Sequence, residues 1–220
     1  MAFILNFHGI GNVQRDYEDG EEPYWIDELR FRECLDIVQS ADQDVMLTFD
    51  DGNASDYLIA YPELIKRGLS AIFFVLAGKI GTGGYLTAEQ VREIDNHDAM
   101  ALGTHGMDHQ PWPDLDNDEL TREIEQSLSV LSNICGRPIT AAGLPFGRYD
   151  GRVLKSLRQN GVHEVYSSDG AAKITGIAPF PRFSIRRDTD MRALGKMINS
   201  PPSLIARTKN ELRAWIKAHR

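Results

Sequence analysis

Val45-Met46-Leu47-Thr48-Phe49-Asp50-Asp51-Gly52 is an apolar run that stops on two carboxylates and a glycine. About fifty residues later stands His105-Gly106-Met107-Asp108-His109. Two imidazoles at that spacing fall on one side of a single helical turn or a tight loop. One aspartate with two histidines is a complete ligand set for a catalytic zinc-type metal and leaves a coordination position for water. The other aspartate is then free to act as a general base beside that water. These residues suggest metal-assisted hydrolysis.

Outward from the 45–49 strand the pattern alternates. Before it come a strand at 3–7, an acidic loop at 16–22, and a helix expected to bury Ile26, Leu29, Phe31, Leu35 and Val38. After it, Leu58, Tyr61, Leu64 and Ile65 give a helix closed by Gly68. Residues 71–75 are continuously apolar, as in a strand buried on both faces. Thr87 and Gln90 form a capping box, and Asp116 with Glu119 caps a long helix with a core stripe of Leu120, Ile124, Leu128, Leu131 and Cys135. Short strands are expected at 100–103, 140–144 and 162–167, with a helix near 153–157. Pro201-Pro202 separates two amphipathic segments, one near 191–198 and one carrying Leu204, Ile205, Leu212, Trp215 and Ile216. Strand–helix alternation of this kind means an α/β fold, a largely parallel sheet with helices outside it. A single domain over 1–220 with a helical tail at about 201–220 is expected. In such folds the site lies at the carboxyl ends of the strands. His8, Asp50, Asp51, His105, Pro145-Phe146 and Ser168-Asp169 all follow strands.

Composition excludes several classes. The chain has 220 residues, 42% hydrophobic and 25% charged, ordinary values for a globular protein. A formal charge of −8 argues against a nucleic-acid partner, which needs a basic face. The two cysteines, Cys34 and Cys135, sit in amphipathic helices and read as core residues. No run reaches the roughly 18 apolar residues of a membrane span, and no basic, apolar leader opens the chain. A cytoplasmic location is the default expectation.

Thr48-Phe49-Asp50-Asp51-Gly52, His105-Gly106-Met107-Asp108-His109 and Leu144-Pro145-Phe146-Gly147 resemble the first three motifs of the polysaccharide deacetylases with the NodB homology domain, carbohydrate esterase family 4. Tyr85-Leu86-Thr87 with Glu89-Gln90 resembles the family's connecting region. The resemblance implies a distorted (β/α) barrel of about seven parallel strands. It implies an enzyme, a hydrolase that removes acetyl groups from sugars with a divalent metal, zinc first among the candidates. Asp51, His105 and His109 would be the ligands and Asp50 the catalytic base, with the Phe146 N–H, after Pro145, as oxyanion donor.

The chain departs from the family twice. Gly143 stands where the third motif begins with an arginine that holds the base. The late Leu-x-His motif that supplies the acid has no match. His8 in Asn6-Phe7-His8-Gly9, however, resembles the N-terminal histidine of a circularly permuted branch that includes exopolysaccharide deacetylases acting on poly-N-acetylglucosamine. His8 is therefore the candidate acid. Arg182 is the first candidate for the lost arginine and Arg148 the second, and Asp169 is a further candidate for support. Competing readings are an amidase or imidase of the same fold acting on a small non-sugar amide, and a non-catalytic carbohydrate-binding relative. The histidine pair lacks the glutamate of the metalloprotease pattern. Trp112 is open to two readings, a sugar-groove platform or ordinary packing.

Overall fold

The computed structural model describes residues 3–170 and 179–200, together with Lys217. The expected tail helix at 201–220, Lys217 apart, lies outside the described residues. Eight short strands, all parallel, make one sheet: β1 (Phe3–Phe7), β2 (Val45–Phe49), β3 (Ala71–Val75), β4 (Met100–Thr104), β5 (Ala141–Gly143), β6 (Glu164–Ser167), β7 (Phe180–Pro181) and β8 (Phe183–Ser184). Their spatial order is β7-β6-β5-β4-β3-β2-β1-β8. The two edge strands are neighbours in the chain, with only Arg182 between them. The Arg182 N–H donates to Ser167 O of β6 (2.9 Å) and the Ile185 N–H to Asn6 O of β1 (2.8 Å). One extended segment therefore pairs first with β6 and then with β1, and the sheet closes. Counted as passes of the chain, β7 and β8 are one, so the barrel has seven. It is distorted at the β4–β5 join, where a single residue pair, Thr104 and Ala142, is in register.

Period-2 alternation sorts the strand side chains into two layers. Leu5, Phe7, Leu47, Phe49, Phe73 and Val75 face outward into the main core beneath the helices. There Phe7, Phe49 and Phe73 stack in series, with centroid separations of 5.2 and 4.7 Å. The inward layer holds Ile72, Phe74, Ala141 and Tyr166, with Ile4, Met46, Ala101 and Phe180 packed on them. Phe74 dominates that layer: a Cβ on Gly103 would come within 2.5 Å of its ring, and one on Gly143 within 2.8 Å. Burying a phenylalanine there fills the barrel just below the mouth, and the two glycines are what make room.

The helices confirm most of the start and stop signals. Both capping boxes form, at Thr87–Gln90 ahead of α3 (Ala88–Asp95) and at Asp116–Glu119 ahead of α4 (Asn117–Thr121). α1 (Glu28–Gln39) starts at the Asp27 cap, so Ile26 is buried in the preceding segment and Leu29, expected inside, is exposed. Leu58 and Ile65 are also exposed, because a π-helical turn at Asp56–Ala60 rotates the face that α2 (Tyr61–Arg67) presents to the core. The long helix is likewise interrupted: a π-helical segment, Arg122–Gln126, separates α4 from α5 (Ser127–Cys135). α6 (Gly151–Gln159) and α7 (Met191–Asn199) complete the described set. Trp112 is fully buried in the core and is no sugar platform. No described helix is long and apolar enough to cross a membrane.

Candidate metal centre and barrel mouth

Adjacent residues in a strand point to opposite faces, yet Asp50 and Asp51 both line the mouth. The backbone explains how. The Asp50 N–H donates to Phe7 O (2.9 Å), so pairing with β1 persists to Asp50, whose side chain follows the inward alternation. Asp51 then turns left-handed (φ 76°), and Gly52 continues the turn (φ 71°). His109 and Phe146 (both φ 56°) are the other described non-glycine residues with positive φ. All three strained positions border this pocket, the kind of place where strain is retained for function.

The His105–His109 segment is a tight loop rather than a helical turn. It is shaped from beneath by Glu123, which is almost fully buried and accepts from the N–H groups of Met107 (2.9 Å) and Asp108 (3.1 Å). Thr104 Oγ1 accepts from the Gly106 N–H (3.0 Å). Gly106 has φ 91°, and a Cβ there would strike Glu123 Oε2 at 2.5 Å. Glu123 itself sits in the π-helical segment, the irregular turn that aims it at the loop.

His105 Nε2 lies 3.5 Å, and His109 Nε2 3.7 Å, from Asp51 Oδ1. Both outer nitrogens have acceptors: His105 Nδ1 is 2.9 Å from Gly143 O and His109 Nδ1 is 2.5 Å from Glu18 Oε2. An acceptor at Nδ1 places the hydrogen there and turns the Nε2 lone pair inward. Asp51 Oδ1 is buried and has no hydrogen-bond partner. A buried carboxylate oxygen left bare costs free energy unless a cation meets it. The three donor atoms lie within 4.8 Å of one another. The trio thus fits a divalent metal with nitrogen and oxygen ligands. Burial pushes the His105 imidazole below its usual pKa, against the pull of Asp50 and Asp51, and so favours the neutral form that a ligand needs. Burial has the same tendency at His109, but there Asp51 and Glu18 outweigh it and raise the value.

Asp50 belongs to a second group. Arg182 Nη1 donates to Asp50 Oδ1 (2.6 Å) and Nη2 to Oδ2 (2.8 Å), a bidentate pair with the guanidinium wholly buried. Asn6 Nδ2 donates to Asp50 Oδ2 (2.9 Å), and Arg182 Nη1 donates to Asn6 Oδ1 (2.9 Å). Burial alone would raise the Asp50 carboxyl, but the charge and hydrogen bonds of Arg182 outweigh it and hold it well below the usual carboxylate range. Arg182 reaches Asp50 from the closing strand, over the face of Phe74 (5.2 Å). An arginine at position 143 would have met that same ring. His8 completes the group, with Nε2 3.9 Å from Asp50 Oδ2 and its ring against Tyr24 (4.8 Å).

Phe146 is exposed and stacks on His109 (4.3 Å between centroids), following the buried Pro145. Arg148 lies elsewhere, paired at the surface with Asp114 at 2.5 and 2.7 Å, and does not approach Asp50. Asp169 accepts from Tyr149 (3.1 Å) and Ser167 (2.9 Å), which ties the loops after β5 and β6 together at the rim. Three contributors were not anticipated: Glu18, Glu123 and Asn6. Asn6 left one signal, a polar residue at an inward position of an otherwise apolar strand. Glu123 left another, a carboxylate directly beside the core position Ile124.

The polysaccharide deacetylase family profile matches residues 38–165. The chain belongs to the polysaccharide deacetylase family. A protein of Bacillus subtilis named as a polysaccharide deacetylase, YxkH, is 31% identical over 158 residues, 71% of this chain and 52% of that protein. The chain spans about half the length of the curated relatives it matches. Among solved structures, the Streptococcus pyogenes deacetylase PplD superposes with TM-score 0.77 at 21% identity, over 90% of this chain and 98% of that one. IcaB from Ammonifex degensii gives TM-score 0.71 at 20% identity, over 90% and 96%. These superpositions show a shared fold, the NodB-like barrel.

Proposed function

We propose that this chain is a metal-dependent deacetylase of N-acetylated sugars. The observation that carries the reading is the Asp51–His105–His109 trio, two of its members buried and His109 partly so, with a bare Asp51 oxygen, beside a second carboxylate that stays ionised. A divalent ion bound there, zinc for preference, would acidify a water from about 15.7 toward about 7 and polarise the acetyl carbonyl.

This chain's residues supply the remaining chemistry. Asp50 receives a proton on its carboxylate as water adds to the carbonyl carbon. The Arg182 charge that keeps Asp50 ionised also weakens it as a base, so it suits a water already made acidic. The Phe146 N–H donates to the developing oxyanion, held at the mouth by a left-handed turn and by the ring stacked on His109. His8 Nε2, 3.9 Å from Asp50 Oδ2, gives a proton to the departing amine nitrogen as the carbon–nitrogen bond breaks.

The pocket volume of about 190 Å³ is below the roughly 300–1,000 Å³ of sites that engulf a drug-sized ligand. It has room for a reacting acetamido group, while the rest of a sugar chain would lie outside along the mouth. The test is acetate release from N-acetylglucosamine oligomers by zinc- or cobalt-loaded protein. Release that stops on chelation and returns with metal is expected. Absence of acetate from a protein holding one metal per chain would overturn the sugar assignment and direct the search to small amides.

A further inference from the structure

The loop that reaches over the mouth from 16 to 22 contributes a side chain to the metal centre. Glu18 Oε2 lies 2.5 Å from His109 Nδ1, the contact that turns Nε2 toward Asp51. The loop is bolted in place rather than draped. The Glu18 N–H donates to Glu21 Oε2 (2.9 Å), and the Glu21 N–H returns to Glu18 O (3.1 Å). Glu21 is paired with Arg15 through both terminal guanidinium nitrogens, and Arg15 Nη2 also donates to Asn53 Oδ1 (2.8 Å). The Arg15 guanidinium lies over the Tyr85 ring (4.6 Å). Asn53 stands two residues after Asp51, so the clasp ties the loop to the turn that presents that ligand. His109, for its part, is a left-handed residue at the end of its loop. Glu123 grips the middle of that loop through the N–H groups of Met107 and Asp108, whereas the His109 ring nitrogen Nδ1 meets Glu18.

We propose that Glu18 is a positioning residue for the metal centre: it fixes the tautomer and ring angle of His109 and so sets the affinity with which the trio holds its metal. The inference rests on the metal-centre reading above. Its physical basis is general, since a ligating histidine whose outer N–H meets a carboxylate is oriented and made a better donor, and losing such a partner typically weakens metal binding by about 10–100-fold. The carboxylate is supplied by a segment far from the ligand motifs, so the mouth loop and the metal site are one unit.

The test measures Zn²⁺ affinity by chelator competition for the wild type, Glu18→Ala, Glu18→Gln and Asp16→Ala, together with the visible spectrum of the Co²⁺ forms. Glu18→Ala should bind Zn²⁺ about 10–100-fold more weakly and shift the Co²⁺ bands. Glu18→Gln, whose side-chain oxygen can still accept the Nδ1 hydrogen, should fall between the two. Asp16→Ala removes an equal charge from the same loop without touching His109, and should match the wild type. Glu18→Ala binding within twofold of the wild type with unchanged Co²⁺ bands would overturn the inference and leave the deacetylase reading standing. Equal weakening by Asp16→Ala would also overturn it, in favour of a diffuse charge effect. Failure of the wild type to bind metal at all would overturn both.

Discussion

The two sides of the barrel mouth are built on different principles. On the side of β2 and β4 sit Asp51, His105 and His109, on loops with positive φ, with one carboxylate oxygen left bare. On the side of β1 and the closing strand sit Asn6, Asp50 and Arg182, where every charge has its partner and the side chains extend a regular strand alternation. The first side has spare coordination capacity and carries strain; the second is saturated and rigid. A site that must bind a cation and also handle a proton needs both. On the proposed reading the bare oxygen would attract the ion, and the saturated pair would keep Asp50 charged without making it a fourth ligand.

The largest effect expected is on the unsaturated side. His105→Ala or Asp51→Ala removes one of three donors, so metal binding measured by titration should be lost and any acetate release with it. Retained stoichiometric metal in either variant would show that the trio is not the site. Next comes the saturated side. Arg182→Met leaves Asp50 buried beside a neutral group, and breaking a buried pair in this way costs about 3–5 kcal/mol. Chemical denaturation should report that loss, and a cost under about 1 kcal/mol would mean that water already screens the pair.

Glu123→Gln is a smaller perturbation, because the amide oxygen can accept from only part of the Met107, Asp108 and Trp112 donor set. A buried donor left unsatisfied costs about 1–3 kcal/mol, and the variant should lose that much stability. Metal affinity should fall with it if Glu123 shapes the histidine loop.

The smallest effect concerns Asp56, fully buried just behind the unsaturated side, with neither carboxylate oxygen hydrogen-bonded among the described residues. Burial, with Asp51 and Asp50 nearby, pushes its carboxyl well above the ordinary value. The folded state therefore keeps a proton that the unfolded state gives up above about pH 3.9. Stability is favoured below that value and declines as the pH rises toward the folded pKa. Asp56→Asn removes the titration. In metal-free protein it should be no more stable than the wild type at pH 4 and progressively more stable toward neutral pH. A stability difference that does not change with pH would mean that Asp56 is ionised in the fold.

The same division decided what the sequence could disclose. The unsaturated side lies in short local motifs: a strand ending on Asp50-Asp51 and a five-residue loop with a histidine at each end. Local spacing was enough to bring those residues forward. The saturated side depends on barrel closure, which joins Arg182 to a carboxylate 132 residues away. Pro181-Arg182-Phe183 could be singled out as a candidate, but its capture of Asp50 rests on β7 and β8 handing one segment from β6 to β1. Arg148 was equally visible as a basic residue near a motif, yet Asp114 holds it at the surface. Leu29 and Leu58 read as buried because apolar spacing cannot reveal a late helix start or a π-helical turn. Glu18 left no local sign, since nothing in an acidic loop announces which carboxylate will meet an imidazole.

The proposed mechanism divides metal binding and proton handling between the two sides of the mouth. Its most direct test is Asp50→Asn, measured for metal stoichiometry and for acetate release from N-acetylglucosamine oligomers in the same preparation. One metal per chain at wild-type affinity is expected, with turnover reduced by roughly 10²–10⁴-fold. Loss of the metal along with turnover, or turnover near that of the wild type, would contradict it.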